Sequence, residues 1–503
     1  MKFIFLTITL SLMFPANTVA HELPDLGDVS QATITPREER LLGLQIMRQI
    51  RADTSYLDDP EISNYLNSLG HKLIASSTET SPGQSFEFFA LQDSTINAFA
   101  LPGGFMGFNS GLIIAAQSES ELAGVMAHEI AHVTQKHLAR MISGHKYNMI
   151  ASIAALAVAI LASRSNPQAG QAVIAATQAG AIQSQLNFTR KHEKEADRVG
   201  LNILLDAGFD PQGMSTFFER LQKASRFYEN GAPSYLRTHP LTFERIADIQ
   251  NRTHEMPYRQ VADSTDFLLV RAKLRALQGK PSDAVNQFRA RLEEKRYINE
   301  AVERYGYTLA LLRDKKNREA DEELARLYTL IQSDNKTELL LKDHRLGKTI
   351  LVQQKGLQAG AMIETLAAAV KLANGQTDDA LKIYRTALRI YPQHKALIHG
   401  YANALLLNHQ IDTALELINR ELQFHPKDIQ LYRLQARAYA LQDKLMLKHR
   451  AQAEVYILQG YYDPAIEQLQ IALKHDNGDF YQLSTVEARL RQLQKIMAEE
   501  KEN

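Results

Sequence analysis

Three residues have the types and spacing for metal-assisted hydrolysis. His128, Glu129 and His132 form the run His-Glu-Ile-Ala-His inside ELAGVMAHEIAHVTQKH, Glu121 to His137. On a helix, residues four apart lie about one turn apart on one side, so both imidazoles can bind one Zn2+. Glu129 falls on the adjacent flank, where its carboxylate reaches water beside the metal rather than the metal itself. A catalytic zinc with three protein ligands keeps one position open and lowers the pKa of water there from about 15.7 towards about 7. Glu129 is then placed to take that proton as general base and return it to a leaving amine. Two solvated surface histidines are the alternative, but this helix is apolar, and unpartnered His and Glu side chains are costly to bury in one.

A third ligand must come from another helix, and LNFTRKHEKEADRVGLNILL, Leu186 to Leu205, supplies candidates. Glu193 and Asp197 are one turn apart and share a face with Ala196, Gly200 and Leu204, whereas Glu195 falls with Arg198 and Asn202 on the polar side. Glu193 is therefore the expected ligand. Asp197 is placed to accept the second ring N–H of a ligating histidine. The competing reading is a pair of surface acids among Arg190, Lys191, Lys194 and Arg198. Neither spacing nor face favours His137 or His192, which read as bystanders.

These residues need elements to hold them. Ser118 and Glu121 stand in capping-box spacing at the start of the first site helix. Phe86 to Gly111 alternates apolar with polar residues around Gly103-Gly104 and predicts short strands about a turn. A first helix is expected over Arg37 to Arg51, after a polar lead-in. Met149 to Ala162 and Ala169 to Ile182 are strongly apolar but short for a membrane span, and read as buried helices or as a flap facing membrane or client.

From about Asp266 the texture changes to helix pairs. Ala380 and Ala414 are 34 residues apart, as are Pro392 and Pro426, which is the tetratricopeptide period. Weaker copies start at Gly279, Asn317 and Gly460, while Ser333 to Lys355 fits the pattern poorly. The expected division is 1–20 signal peptide, 21–262 metalloprotease domain and 263–503 repeat domain.

Composition narrows the setting. Lys+Arg and Asp+Glu both number 57, so no basic surplus draws nucleic acid as a partner. Lys2, an apolar run from Phe3 to Phe14 and small residues at Thr18 and Ala20 read as an export signal cleaved after Ala20. The sequence has no cysteine, so neither a disulfide framework nor a lipid-modified cysteine is available.

The His128 to His132 motif, followed by Glu-Lys-Glu-Ala-Asp at Glu193 to Asp197, resembles the gluzincin family that includes CAAX prenyl endopeptidases and heat-shock membrane proteases. The resemblance covers roughly Leu41 to Ile249. It implies a zincin-like metalloprotease domain with a small β-sheet, so that with the α-helical tetratricopeptide-repeat solenoid read from the 34-residue period the expected fold is mainly α. It also implies one Zn2+ per chain on His128, His132 and Glu193, with Asp197 supporting a histidine. Thr238-His239-Pro240 with Arg245 is similar to an element the family places near the metal. There His239 would donate to a developing oxyanion or occupy the open metal position, unless the segment merely starts a helix with Pro240 in its first turn. Asn97, Ala98, Phe99 and Ala100 are similar to the family's strand beside the site, where an edge strand holds extended substrate by main-chain hydrogen bonds.

The whole layout is similar to the periplasmic β-barrel assembly-enhancing proteases of Gram-negative bacteria. That likeness implies action on unfolded or misassembled outer-membrane proteins, contact with their assembly machinery through the repeats, and a peripheral brush with membrane. A chaperone or scaffold whose proteolysis is latent is the alternative, because concave helical arrays bind partners without chemistry.

Overall fold

Thr35 opens the first helix with a reciprocal cap. Its hydroxyl accepts from the Glu38 N–H at 3.2 Å, and Glu38 accepts from the Thr35 N–H at 2.7 Å. In this computed structural model the described residues are 34–78, 84–142, 190–225, 234–256, 259–334, 338–343, 348–353, 360–475 and 480–502. The export signal and the apolar stretches Met149 to Ala162 and Ala169 to Ile182 lie outside them.

Helices α1 (Pro36–Ala52) and α2 (Pro60–Ala75) each carry proline in the first turn, where no N–H is needed. They pack on a sheet of β1 (Glu87–Leu91), β2 (Ala98–Leu101) and β3 (Phe105–Asn109) in the order β1-β3-β2. Strands β2 and β3 form an antiparallel hairpin whose turn holds Gly103 at φ 74 and Gly104 at φ 80, a left-handed pair that suits glycine. The expected strands and turn are present. The parallel pairing of β1 with β3, Phe88 opposite Met106, is a non-local feature that alternation does not reveal.

Short α3 (Ser110–Ala115) leads into α4 (Glu119–Thr134), in which every residue from Glu119 to His132 is buried. The capping box expected here is half formed. Ser118 accepts from the Glu121 N–H at 3.3 Å, but the Glu121 carboxylate turns to the Gln117 N–H at 2.6 Å and to Arg220 instead. After α5 (His137–Ile142) come α6 (Arg190–Asp206), α7 (Gln212–Ser225), α8 (Ser234–Thr238) and α9 (Phe243–His254). Thr242 caps α9, so Pro240 stands ahead of that helix rather than in its first turn.

Helix pairs then run through α10 (Thr265–Leu277), α11 (Pro281–Glu293), α12 (Glu300–Arg313) and α13 (Asn317–Asp334). The interval that breaks the repeat pattern is an antiparallel pair, β4 (Glu338–Asp343) with β5 (Lys348–Gln353). The array resumes as α14 (Ala361–Ala373), α15 (Thr377–Ile390), α16 (Lys395–Leu407), α17 (Ile411–Phe424), α18 (Ile429–Leu441), α19 (Leu445–Gln459), α20 (Tyr462–Leu473) and α21 (Phe480–Glu502). Ala380 and Ala414, the repeat markers, are fully buried where small side chains let helices meet closely.

Helices early and late in this array both return to the N-terminal elements. Lys273 on α10 reaches Asp59 and Glu61 at 2.6 Å each. Arg433 on α18 pairs with Asp58 at 3.2 Å, and Arg48 on α1 lies over the Tyr462 ring at 4.8 Å. Among the described residues no helix is long and apolar enough to cross a membrane.

Candidate metal centre

The site exists because α4 and α6 approach closely. A Cβ on Gly200 would meet the His128 Cα and N at 3.0 Å, so glycine lets the α6 backbone rest on the α4 backbone. That contact puts the buried face of α6, with Glu193 and Asp197, against His128 and His132. The surface salt-bridge reading of these two acids is overturned: both are buried, while Lys194 and Arg198 point outward.

Nitrogen and oxygen atoms converge at one point. His128 Nε2 lies 3.0 Å from His132 Nε2 and 3.5 Å from Glu193 Oε2, and His132 Nε2 lies 3.4 Å from Glu193 Oε1. His239, just beyond α8, closes the group: its Nδ1 is 3.0 Å from Glu193 Oε1 and 3.4 Å from His128 Nε2. One ligand atom from each of these four buried residues lies within 4.8 Å of the others.

This donor set fits a metal ion. Zinc–ligand bonds of about 2.0–2.2 Å in a tetrahedron put ligand atoms about 3.3–3.6 Å apart, close to the edges found here. Charge agrees as well. Among the described residues, Arg245 is the one buried guanidinium set against the buried Glu129, Glu193 and Asp197, so with all three ionised a divalent cation would bring the centre to neutrality.

The surrounding groups fix the ligands. Arg245 donates from Nε and Nη2 to the two Asp197 oxygens at 2.7 Å each, and from Nη1 to the Pro240 carbonyl at 2.8 Å. Its Nη1 also lies 2.6 Å from Glu193 Oε2. Asp197 Oδ1 in turn stands 3.1 Å from His128 Nδ1, on the side of the ring away from the ligand cluster. Glu129 differs from the other acids: neither of its oxygens accepts a hydrogen bond, and His239 Nε2 stands 3.5 Å from its Oε1.

Burial sets the proton affinities. For Asp197 burial works against the charge, but Arg245 and His128 outweigh it and hold the carboxyl below its usual range. Glu193 behaves likewise, with His239, His128 and His132 holding it well down. Burial raises Glu129. His128 is pushed up to about 9 despite its burial, because Asp197 and Glu193 favour its charged form. Burial pushes His132 well down. His128 would have to give up that proton to serve as a metal ligand.

Substrate-strand candidates lie beside this centre. Asn97 O accepts from the Asn109 N–H at 3.0 Å, so by alternation Phe99 also bonds towards β3, while Ala98 and Ala100 direct their main-chain groups to the outer edge. One end of that edge is taken, since Tyr235 N donates to Ile96 O at 3.2 Å. Tyr235 also stacks on His239 at 4.8 Å, so one segment touches both the edge and the ligand cluster.

His137 is no bystander. Its buried ring stands 2.9 Å from His132 Nδ1 and 3.0 Å from Glu195 Oε2, and stacks on His192 at 4.5 Å. A continued helix would point it elsewhere, but Lys136 is left-handed at φ 52 and turns the chain back. No periodicity argument carries that signal.

Comparison with known proteins agrees with this geometry. The pattern of peptidase family M48 matches residues 60–253, and a tetratricopeptide-repeat pattern matches 371–438. The β-barrel assembly-enhancing protease of Escherichia coli (strain K12) is 32% identical over 485 residues, spanning 95% of this chain and 92% of that one. The chain belongs to peptidase family M48. The protein of the same name from Yersinia pestis is 30% identical across 94% of this chain and 92% of its own. A Vibrio cholerae relative is 43% identical over 318 residues, 62% of this chain and 64% of that one, so this match spans just under two thirds of the relative's length. As an M48 peptidase the chain is a metalloendopeptidase, in the expected mainly α architecture with a small sheet and repeats.

Proposed function

We propose that this M48 peptidase is an exported, zinc-dependent endopeptidase of the periplasm that degrades stalled or misassembled outer-membrane proteins and assists their assembly. The signal peptide spans 1–20, residues 21–262 form the protease domain, and 263–503 form a repeat domain that engages clients and the assembly machinery. One observation carries the catalytic reading: a buried cluster of metal-ligating atoms with the unpartnered Glu129 carboxylate at its edge.

His128, His132 and Glu193 hold the metal in this reading. Bound zinc supplies Lewis-acid polarisation of the scissile carbonyl and lowers the pKa of water. Glu129, free of other donors, takes the proton of the attacking water and delivers it to the leaving amine. Asp197 and Arg245 hold His128 and Glu193 in place. Ala98 and Ala100 offer main-chain groups to an extended client, which suits unfolded chains because side-chain identity matters little.

His239 and Tyr235 favour a latent form of the enzyme. His239 Nδ1 occupies the corner that substrate and water need, and Tyr235 N occupies the edge at Ile96. Swinging this one segment out would open both positions together. The scaffold activity and the protease activity are then two states of one molecule, with clients held on the repeats before cleavage.

The test measures zinc content and cleavage of an unfolded outer-membrane β-barrel protein by wild type, Glu129→Gln and Glu193→Ala. Glu129→Gln should retain one zinc per chain and lose about 10²–10⁴-fold in turnover, while Glu193→Ala should lose the metal. Full zinc and full activity in Glu193→Ala would remove that residue from the ligand set. Client assembly that survives Glu129→Gln in cells would assign that role to the repeats.

A further inference from the structure

The second nitrogen of His132 has a partner that the metallopeptidase reading does not use. His132 Nε2 faces the ligand cluster, so in a ligating, neutral His132 the ring proton must sit on Nδ1. Only 2.9 Å away is His137 Nδ1, and between two ring nitrogens at that distance one must donate. If His137 donated, the His132 proton would move to Nε2 and point at the ligand cluster, where it would exclude a metal.

Further along, the chain sets the direction. His137 Nε2 lies 3.0 Å from Glu195 Oε2, and a carboxylate only accepts, so His137 carries its proton on Nε2 and leaves Nδ1 as the acceptor. Arg140 Nη1 donates to the same Glu195 oxygen at 3.0 Å, keeping that carboxylate ionised and oriented. His192 stacks on His137 with ring planes 22° apart and restrains its rotation. Every proton from His132 to Glu195 then has one consistent place.

We infer that His137 and Glu195 are positioning residues that hold His132 in its metal-ligating tautomer, matching on this ligand what the Asp197 carboxylate does for His128. The inference rests on the reading of His132 as a ligand. It gives the two histidines different supports: a buried carboxylate on His128, and a neutral imidazole backed by a half-buried carboxylate on His132.

The test is zinc affinity of the full chain by competition with a chromophoric chelator, together with nitrogen NMR of the histidine rings to read the His132 tautomer. Glu195→Leu lies at a half-buried position where folding is tolerant, and His137→Phe keeps the stacked ring but cannot accept a hydrogen bond. Both should weaken zinc binding about 10–100-fold and give His132 a mixture of tautomers before zinc is added. Glu195→Gln, whose amide oxygen still accepts from His137, should stay within about threefold of wild type, a rescue that a merely structural role does not predict. Wild-type affinity and a single His132 tautomer in Glu195→Leu would overturn the proposal alone. Failure of wild type to bind zinc would overturn the metallopeptidase reading and this inference with it.

Discussion

Arg245 is the residue whose loss should most expose the electrostatics of the centre. Its guanidinium is buried, forks onto both Asp197 oxygens at 2.7 Å and lies 2.6 Å from Glu193. Replacing it with methionine, Arg245→Met, preserves much of the volume but leaves two buried carboxylates without their shared cation. Breaking a buried pair in this way costs about 3–5 kcal/mol. For a domain of 150–250 residues that is a fall of about 6–20 °C in the unfolding midpoint. A bound divalent metal supplies positive charge to Glu193, so the loss should be smaller in zinc-loaded protein than in chelator-treated protein. Arg245→Lys should recover only part of it, because one ammonium cannot fork onto Asp197 and also reach Glu193. The assay is differential scanning calorimetry of the three proteins, each with zinc and with chelator. A wild-type midpoint for Arg245→Met under both conditions would refute the argument that this guanidinium balances the buried acids.

Two further outcomes follow from the packing. Gly200→Ala places a methyl 3.0 Å from the His128 backbone, which cannot yield as a side chain could, so α6 must shift by a few tenths of an ångström. Despite the better helix propensity of alanine, stability should fall by about 1–3 kcal/mol, read by urea unfolding, and zinc affinity should fall with it. His394 caps α16 by accepting from the Leu397 N–H at 3.4 Å, and burial together with Lys273 pushes its pKa down to about 4. A histidine with its folded pKa below the unfolded value of about 6.5 loses stability as pH falls from there to the folded value. After allowance for solvent screening of this part-exposed ring the loss is about 1–2 kcal/mol. His394→Asn keeps a cap that does not titrate, so its unfolding midpoint should exceed wild type near pH 4.5 and match it near pH 7; identical pH profiles would sink this account.

Much of the site could be read in the sequence because local spacing governs it. One helical turn separates His128 from His132, and another separates Glu193 from Asp197, so each pair shares a face whatever the tertiary fold does. The 34-residue offset between Ala380 and Ala414 exposed the repeats for the same reason, since each unit repeats its own local contacts. Tertiary structure decided how the pairs meet. Gly200 seats α6 on α4, the segment through Tyr235 brings His239 to the fourth corner, and Arg245 reaches Asp197 across 48 residues of chain. The helical reading also put His137 out of reach, because left-handed Lys136 breaks the period that such a reading assumes. Sequence periodicity fixes which side chains share one helix face. Which faces touch is set by close backbone approach, chain reversal and charge balance among residues far apart in sequence, and those terms have no period to read.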